Sequence, residues 1–79
     1  MTNLARYNNI FKTIFSLDDN LLNDELTVLT VEDWNSVAQM NLVAALEQEF
    51  EIFLDPNDVV DFVSYKNGKE ILRRHGVEI

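Results

Sequence analysis

Turned at about 100° per residue, residues 36–51 (SVAQMNLVAALEQEFE) bring Leu42, Val43, Leu46 and Phe50 into one arc of roughly 100°. A period of 3.6 sustained over four turns rules out a strand and requires a helix with one buried face. Gln39 interrupts that face near its N-terminal end, where water is expected to reach it. Residues 3–16 (NLARYNNIFKTIFS) repeat the pattern, with Leu4, Tyr7, Ile10, Phe11, Ile14 and Phe15 on one side and Thr2 or Asn3 available as a cap. Two amphipathic helices need a common core. With 79 residues the chain forms one small domain, 1–79, whose core is thin. A deep catalytic cavity has little room in it, which favours a binding or carrier module over an enzyme.

Between these helices, residues 17–35 lose periodicity. SLDDN and LNDEL are acidic and turn-like, while Leu21, Leu22, Leu26, Val28, Leu29 and Val31 are too apolar to lie free in water. The reading is a long loop whose leucines fold back on the core, with a short helical turn near 20–26. Loops of this length in small domains are often functional. After the second helix, DPNDVVDF carries a start signal: Asp55 as cap, Pro56 at the first helical position and Asp58 in the first turn. It opens a short helix of about two turns bearing Val59, Val60, Phe62 and Val63. Ser64 then caps a last helix, YKNGKEILRRHG. Gly68 weakens its interior, Arg73, Arg74 and His75 suit its negative end, and Gly76 stops it. The predicted fold is all-α: a bundle of three main helices plus one short helix, with a long first loop.

The charge is −8, and its distribution is more informative than its size. From 13 to 65 there is no Lys or Arg, while that span holds Asp18, Asp19, Asp24, Glu25, Glu32, Asp33, Glu47, Glu49, Glu51, Asp55, Asp58 and Asp61. Such a field repels nucleic acid and attracts basic protein surfaces. Cysteine is absent, which excludes disulfides and thiolate metal sites. No signal peptide is visible and no apolar run reaches the length of a membrane span, so the expectation is a cytoplasmic protein without membrane insertion.

No catalytic constellation emerges. The single histidine, His75, sits at a helix end far from any candidate nucleophile. Asp55, Asn57, Asp58 and Asp61 resemble a calcium loop only superficially: Val59, Val60 and Lys66 occupy positions that the EF-hand gives to an oxygen ligand, a glycine and a glutamate. There is no phosphate-cradling glycine motif. No metal site and no catalytic residue are assigned.

One feature of residues 36–51 exceeds what a core helix needs. Away from the buried face lie Val37, Met40 and Ala44, with Glu47 and Glu51 beside them. An apolar strip framed by acids is suited to docking a partner. Ser36 opens the same helix. By position alone it reads as an N-cap whose hydroxyl accepts an amide hydrogen bond.

The stretch DWNSVAQMNLVAALEQEFEI also resembles the acyl carrier protein family. It looks like the family's modified-serine motif, typically Asp-Ser-Leu, followed by its helix, with a particularly close run over Leu42–Phe50. More loosely, the order of helices resembles the family over nearly the whole chain. The resemblance implies that Ser36 receives a 4'-phosphopantetheine arm from coenzyme A, added by a separate phosphopantetheinyl transferase. The arm's thiol then holds acyl intermediates as thioesters for partner enzymes with basic docking patches, acyl-transferring or synthase enzymes among them. The second helix becomes the recognition helix, with Val37, Met40, Ala44, Glu47 and Glu51 in that role, and Asp33 and Asn35 facing the transferase. A free-standing monomeric carrier in fatty acid biosynthesis or, more narrowly, a specialised lipid or secondary-metabolite pathway is implied.

Departures are specific. Asn35 stands where the family usually has Asp; it keeps an oxygen ligand for the transferase's metal but loses the charge, for which Asp33 compensates in part. Val37 replaces Leu, and Asn41 and Gln48 replace frequent acids. EDWNS lacks the Gly-Gly pattern of peptidyl carriers. The competing expectation is an acidic helical interaction module that keeps a carrier-like fold without the arm.

Overall fold

The computed structural model describes residues 1–79. Four α-helices follow one another: α1, Asn3–Phe15; α2, Ser36–Phe50; α3, Pro56–Asp61; and α4, Tyr65–Arg74. A single 3-10 turn, Asp19–Leu21, lies in the long α1–α2 loop. There are no strands, and the all-α bundle with one short helix matches the expectation. No helix is long and apolar enough to cross a membrane.

Each helix begins where its sequence signal lies. Thr2 Oγ1 accepts from the Ala5 amide at 3.1 Å, so Thr2 and not Asn3 caps α1. Asp55 and Asp58 form a reciprocal capping box around the start of α3, with Pro56 inside it. Ser64 and Asn67 do the same for α4. Helices α1 and α2 end with Ser16 and Glu51 in the left-handed conformation, at φ 54° and 53°.

The core is a cluster of rings. Tyr7, Phe11 and Phe15 from α1 meet Trp34, Phe62 and Tyr65, with ring centroids between 4.9 Å for Tyr7–Phe11 and 6.3 Å for Phe11–Phe62. Leu42, Val43 and Leu46 of α2 close it from one side, Ile71 and Leu72 of α4 from another. Phe50 is only half-buried at the end of its face, under the Arg6 guanidinium. Gly68, read from sequence as a weak point of α4, is a packing requirement: a methyl group there would overlap Phe62 and the Tyr7 hydroxyl.

The α1–α2 loop is pinned rather than loose. Val28 N–H donates to Val63 O at 3.0 Å and Tyr65 N–H to Leu26 O at 2.9 Å, around an antiparallel bridge between Thr27 and Ser64. Leu26 and Trp34 are buried, and Leu22, Val28 and Val31 half-buried. Two leucines depart from the expectation. Leu21 is exposed, and Leu29 is 93% exposed. Leu29 sits in the Thr27–Thr30 turn, which is closed by hydrogen bonds through both threonine hydroxyls and places its side chain outward.

The short helix also differs in detail. α3 ends at Asp61, before Phe62, and buries none of its own residues. Val60 and Val63 face solvent. The helix is held instead by Phe62, which plunges into the ring cluster, and by polar contacts at its ends.

Candidate functional site

Ser36 is the first residue of α2 and is exposed. It is not the cap. Asn35 holds that position, with Oδ1 accepting from the Ala38 amide at 2.9 Å and an extended backbone. The expectation of a capping Ser36 is therefore corrected. Asn35 has the short acceptor at the one position from which it reaches the third amide of the helix. The Ser36 hydroxyl makes no hydrogen bond within the chain. The Asn35 oxygen, expected as a ligand for an incoming metal, already accepts one hydrogen bond from the helix with one of its two lone pairs. Asp33 is exposed in the turn just before.

Beside Ser36 opens a groove of about 440 Å³ between α2, α3 and the pinned loop. Val28, Met40, Val59, Val60 and Val63 supply apolar walls, and Asn35 and Ser36 the polar rim. The Thr27–Ser64 bridge is what sets Val28 next to Val63. At the inner side stand Trp34, Phe62 and Gln39.

Gln39 was expected to reach water. It is instead fully engaged: Oε1 accepts from Trp34 Nε1 at 2.6 Å, and Nε2 donates to Val59 O and Phe62 O, both at 2.9 Å. A half-buried amide in an apolar face must be satisfied, and the free carbonyls at the end of α3 satisfy it. The interruption of the apolar arc at residue 39 was the sequence signal for this contact; its partners, 20 and 23 residues on, were not legible there.

The predicted docking strip is only partly free. Val37, Met40 and Ala44 are exposed, Val37 and Met40 at 71% and 57%. Glu51 is exposed as the left-handed cap of α2. Glu47 is half-buried and turned to a structural task, its Oε2 accepting from the Leu54 amide at 2.9 Å. Asn41 and Gln48 are exposed, and Glu49 pairs with Arg6 at 2.8 Å. Sequence reasoning missed Val60 and Val63, which extend the apolar surface across the groove, and Phe53, 72% exposed after α2.

Farther off, His75 is no isolated surface histidine. Its Nε2 lies 2.7 Å from Asp58 Oδ2, tying the end of α4 to the start of α3. That hydrogen bond, opposed by burial and helped by the Asp55 amide and by the charges of His75 and Arg74, holds the Asp58 carboxyl below its ordinary value. No group of three or more His, Cys, Asp or Glu side chains is placed to hold a metal ion. Comparison with protein-family models, curated proteins and solved structures finds no match.

Proposed function

We propose that the chain is an acyl carrier, with Ser36 as the attachment point of a 4'-phosphopantetheine arm. The observation that carries this reading is the exposed Ser36 hydroxyl, in the first turn of a fifteen-residue helix, relieved of capping by Asn35 and set on the rim of an apolar groove. A primary alcohol so placed is open to an incoming enzyme. Its oxygen attacks the phosphorus of coenzyme A that bears pantetheine; the pyrophosphate bond breaks, the nucleotide half leaves, and the serine proton passes to the transferase's base. Attached there, the arm supplies a thiol on which an acyl group is held as a thioester.

The residues present suit that group. The resulting phosphodiester anion would lie at the positive end of the α2 dipole. Asn35 and Ser36 are the polar atoms on the rim, and Met40, Val60 and Val63 offer apolar surface where the cargo emerges. Val37, Met40, Ala44 and Glu51 form the partner-docking flank, with Glu47 contributing through its second carboxylate oxygen. Asp33 is the free acid nearest the serine in sequence and takes the place of the charge that Asn35 lacks. Partners with basic patches are favoured by the net charge of −8.

A second reading, an acidic interaction module without the arm, is favoured by one observation: the residue before Ser36 is the uncharged Asn35, whose side chain serves as the helix cap. Intact mass after incubation with coenzyme A, Mg²⁺ and a broad-specificity phosphopantetheinyl transferase separates the two. The carrier gains one phosphopantetheine, and Ser36→Ala gains none. A wild-type chain left unmodified by several transferases would leave the non-covalent module standing.

A further inference from the structure

Gln39, we infer, sets the depth of the groove beside Ser36 and with it the cargo that the carrier shelters: a compact apolar acyl group held against the surface, not a long chain threaded into the bundle. The inference rests on the carrier reading and adds a specificity-determining residue to it.

The groove ends at a wall built from Trp34, Gln39 and Phe62. An amide NH₂ has two donor positions, and Gln39 uses both, on Val59 O and Phe62 O, while its oxygen takes the Trp34 indole N–H. A chain passing between α2 and α3 at this point would have to part these bonds and leave two carbonyls and an indole unpaired in an apolar setting. There is no slack behind the wall. Trp34 lies 5.1 Å from Phe15 and 5.7 Å from Phe11, centroid to centroid, and Phe62 stacks on Phe11 at 6.3 Å. Gln39 keeps both rings in this packing, Trp34 through its indole N–H and Phe62 through its carbonyl, so the wall stands only while Gln39 holds it. Gly68 lies against the Cζ and Cε1 edge of the Phe62 ring, where even a methyl group would overlap it.

In front of the wall the groove is shallow and open to solvent, with a volume of about 440 Å³. Its side walls are branched aliphatics and Met40; apart from Gln39 in the wall, its polar side chains are Asn35 and Ser36, where the tether starts. A short or aromatic acyl group fits these walls; the remainder of a long chain stays in solvent or in the partner enzyme.

The test is a titration of Ser36→Ala protein, followed by NMR, with hexanoyl-pantetheine and dodecanoyl-pantetheine. Both are expected to shift signals of Met40, Val60 and Val63 and to leave Phe11 and Ile71 unmoved. The same titration of Ser36→Ala protein that also carries Gln39→Ala, its fold checked by amide dispersion in the same spectra, is expected to let the dodecanoyl chain reach Phe11. Shifts at Phe11 or Ile71 with Gln39 present would overturn the inference, as would no shift at Met40, Val60 and Val63, or an unbreached wall in a folded Gln39→Ala protein. Because the titrated protein lacks the serine, failure of Ser36 loading is read separately: groove shifts in a chain that no transferase modifies would keep the depth assignment and remove the carrier reading.

Discussion

At the start of α2 the Asn35 side-chain oxygen takes the Ala38 amide, and the Ser36 hydroxyl is left over. Substitutions at these neighbours should therefore separate stability from the proposed modification of Ser36. Asn35→Ala is expected to lower stability by about 0.5–2 kcal/mol, the usual loss of a cap, while Ser36→Ala stays within about 0.5 kcal/mol of wild type. Urea denaturation of both variants checks this, and equal losses would return the cap to Ser36. At the other end of α1, Ser16 occupies the left-handed region at φ 54°. A Cβ in that conformation costs about 1–2 kcal/mol, part of which glycine gives back as chain entropy. Ser16→Gly is accordingly expected to stabilise by about 0.5–1 kcal/mol, visible as a rise in Tm. Glu51 has the same backbone at the end of α2 but also belongs to the proposed docking flank, so Ser16 gives the cleaner measurement.

At the scale of elements, α3 is the instructive one. It has a capping box and a proline start but buries no residue of its own, so its place depends on Phe62, on Gln39 at one end and on Asp58–His75 at the other. Asp58 is a carboxyl depressed in the folded state, so its contribution is complete above its ordinary value of 3.8 and is lost as pH falls through the folded value. In His75→Ala the Asp58 carboxyl should titrate back towards that ordinary value, measured by NMR of the side-chain carbon, and the acid limb of the stability curve should move up with it. The element boundaries of α1, α2 and α4 were legible because caps and the 3.6 period are local. The packing of α3 and the satisfaction of Gln39 were not, because each depends on a partner distant in sequence; the exposure of Leu29 follows from hydrogen bonds inside the Thr27–Thr30 turn that hydropathy does not reveal. The same holds for the site: Ser36 and its exposed flank could be read along the chain, whereas Val28, Val60 and Val63 join the groove only through the Thr27–Ser64 bridge and the turn after α3. Gly68 reverses the sequence expectation most fully. Alanine would raise helix propensity by up to about 1 kcal/mol, yet its methyl would overlap Phe62 and Tyr7. Gly68→Ala should thus destabilise by about 1–3 kcal/mol, and a rise in stability would mean that α4 can shift away from Phe62 without loss.

For the whole molecule, the ring cluster that closes the interior also limits the pH at which the fold survives. Tyr7 is fully buried, and its hydroxyl donates to Tyr65 O at 2.7 Å. Burial, reinforced by the neighbouring Tyr65, raises its pKa far above the ordinary 10.0. Tyr65 is raised too, by burial first and by the Asp24 charge, against the hydrogen bond to Asn8. Both phenols hold their protons more tightly in the folded chain than in the unfolded one, Tyr7 far more so. The stability linked to them is therefore complete below 10.0 and is withdrawn as pH climbs towards the folded values. An already acidic molecule at −8 gains further negative charge over the same range, and self-repulsion adds to the loss. The expected outcome is cooperative alkaline unfolding in which tyrosinate absorbance and helical circular dichroism change together, with added salt moving the transition to higher pH. Tyr7→Phe divides the two causes. It leaves the Tyr65 carbonyl without its buried donor, at a cost of about 1–3 kcal/mol near neutral pH, but it removes the larger of the two proton linkages. Its stability should thus fall less steeply above 10.0 than that of wild type. Parallel curves would assign alkaline unfolding to net charge alone, and a tyrosinate signal that precedes the loss of helix would mean that Tyr7 ionises within an intact bundle.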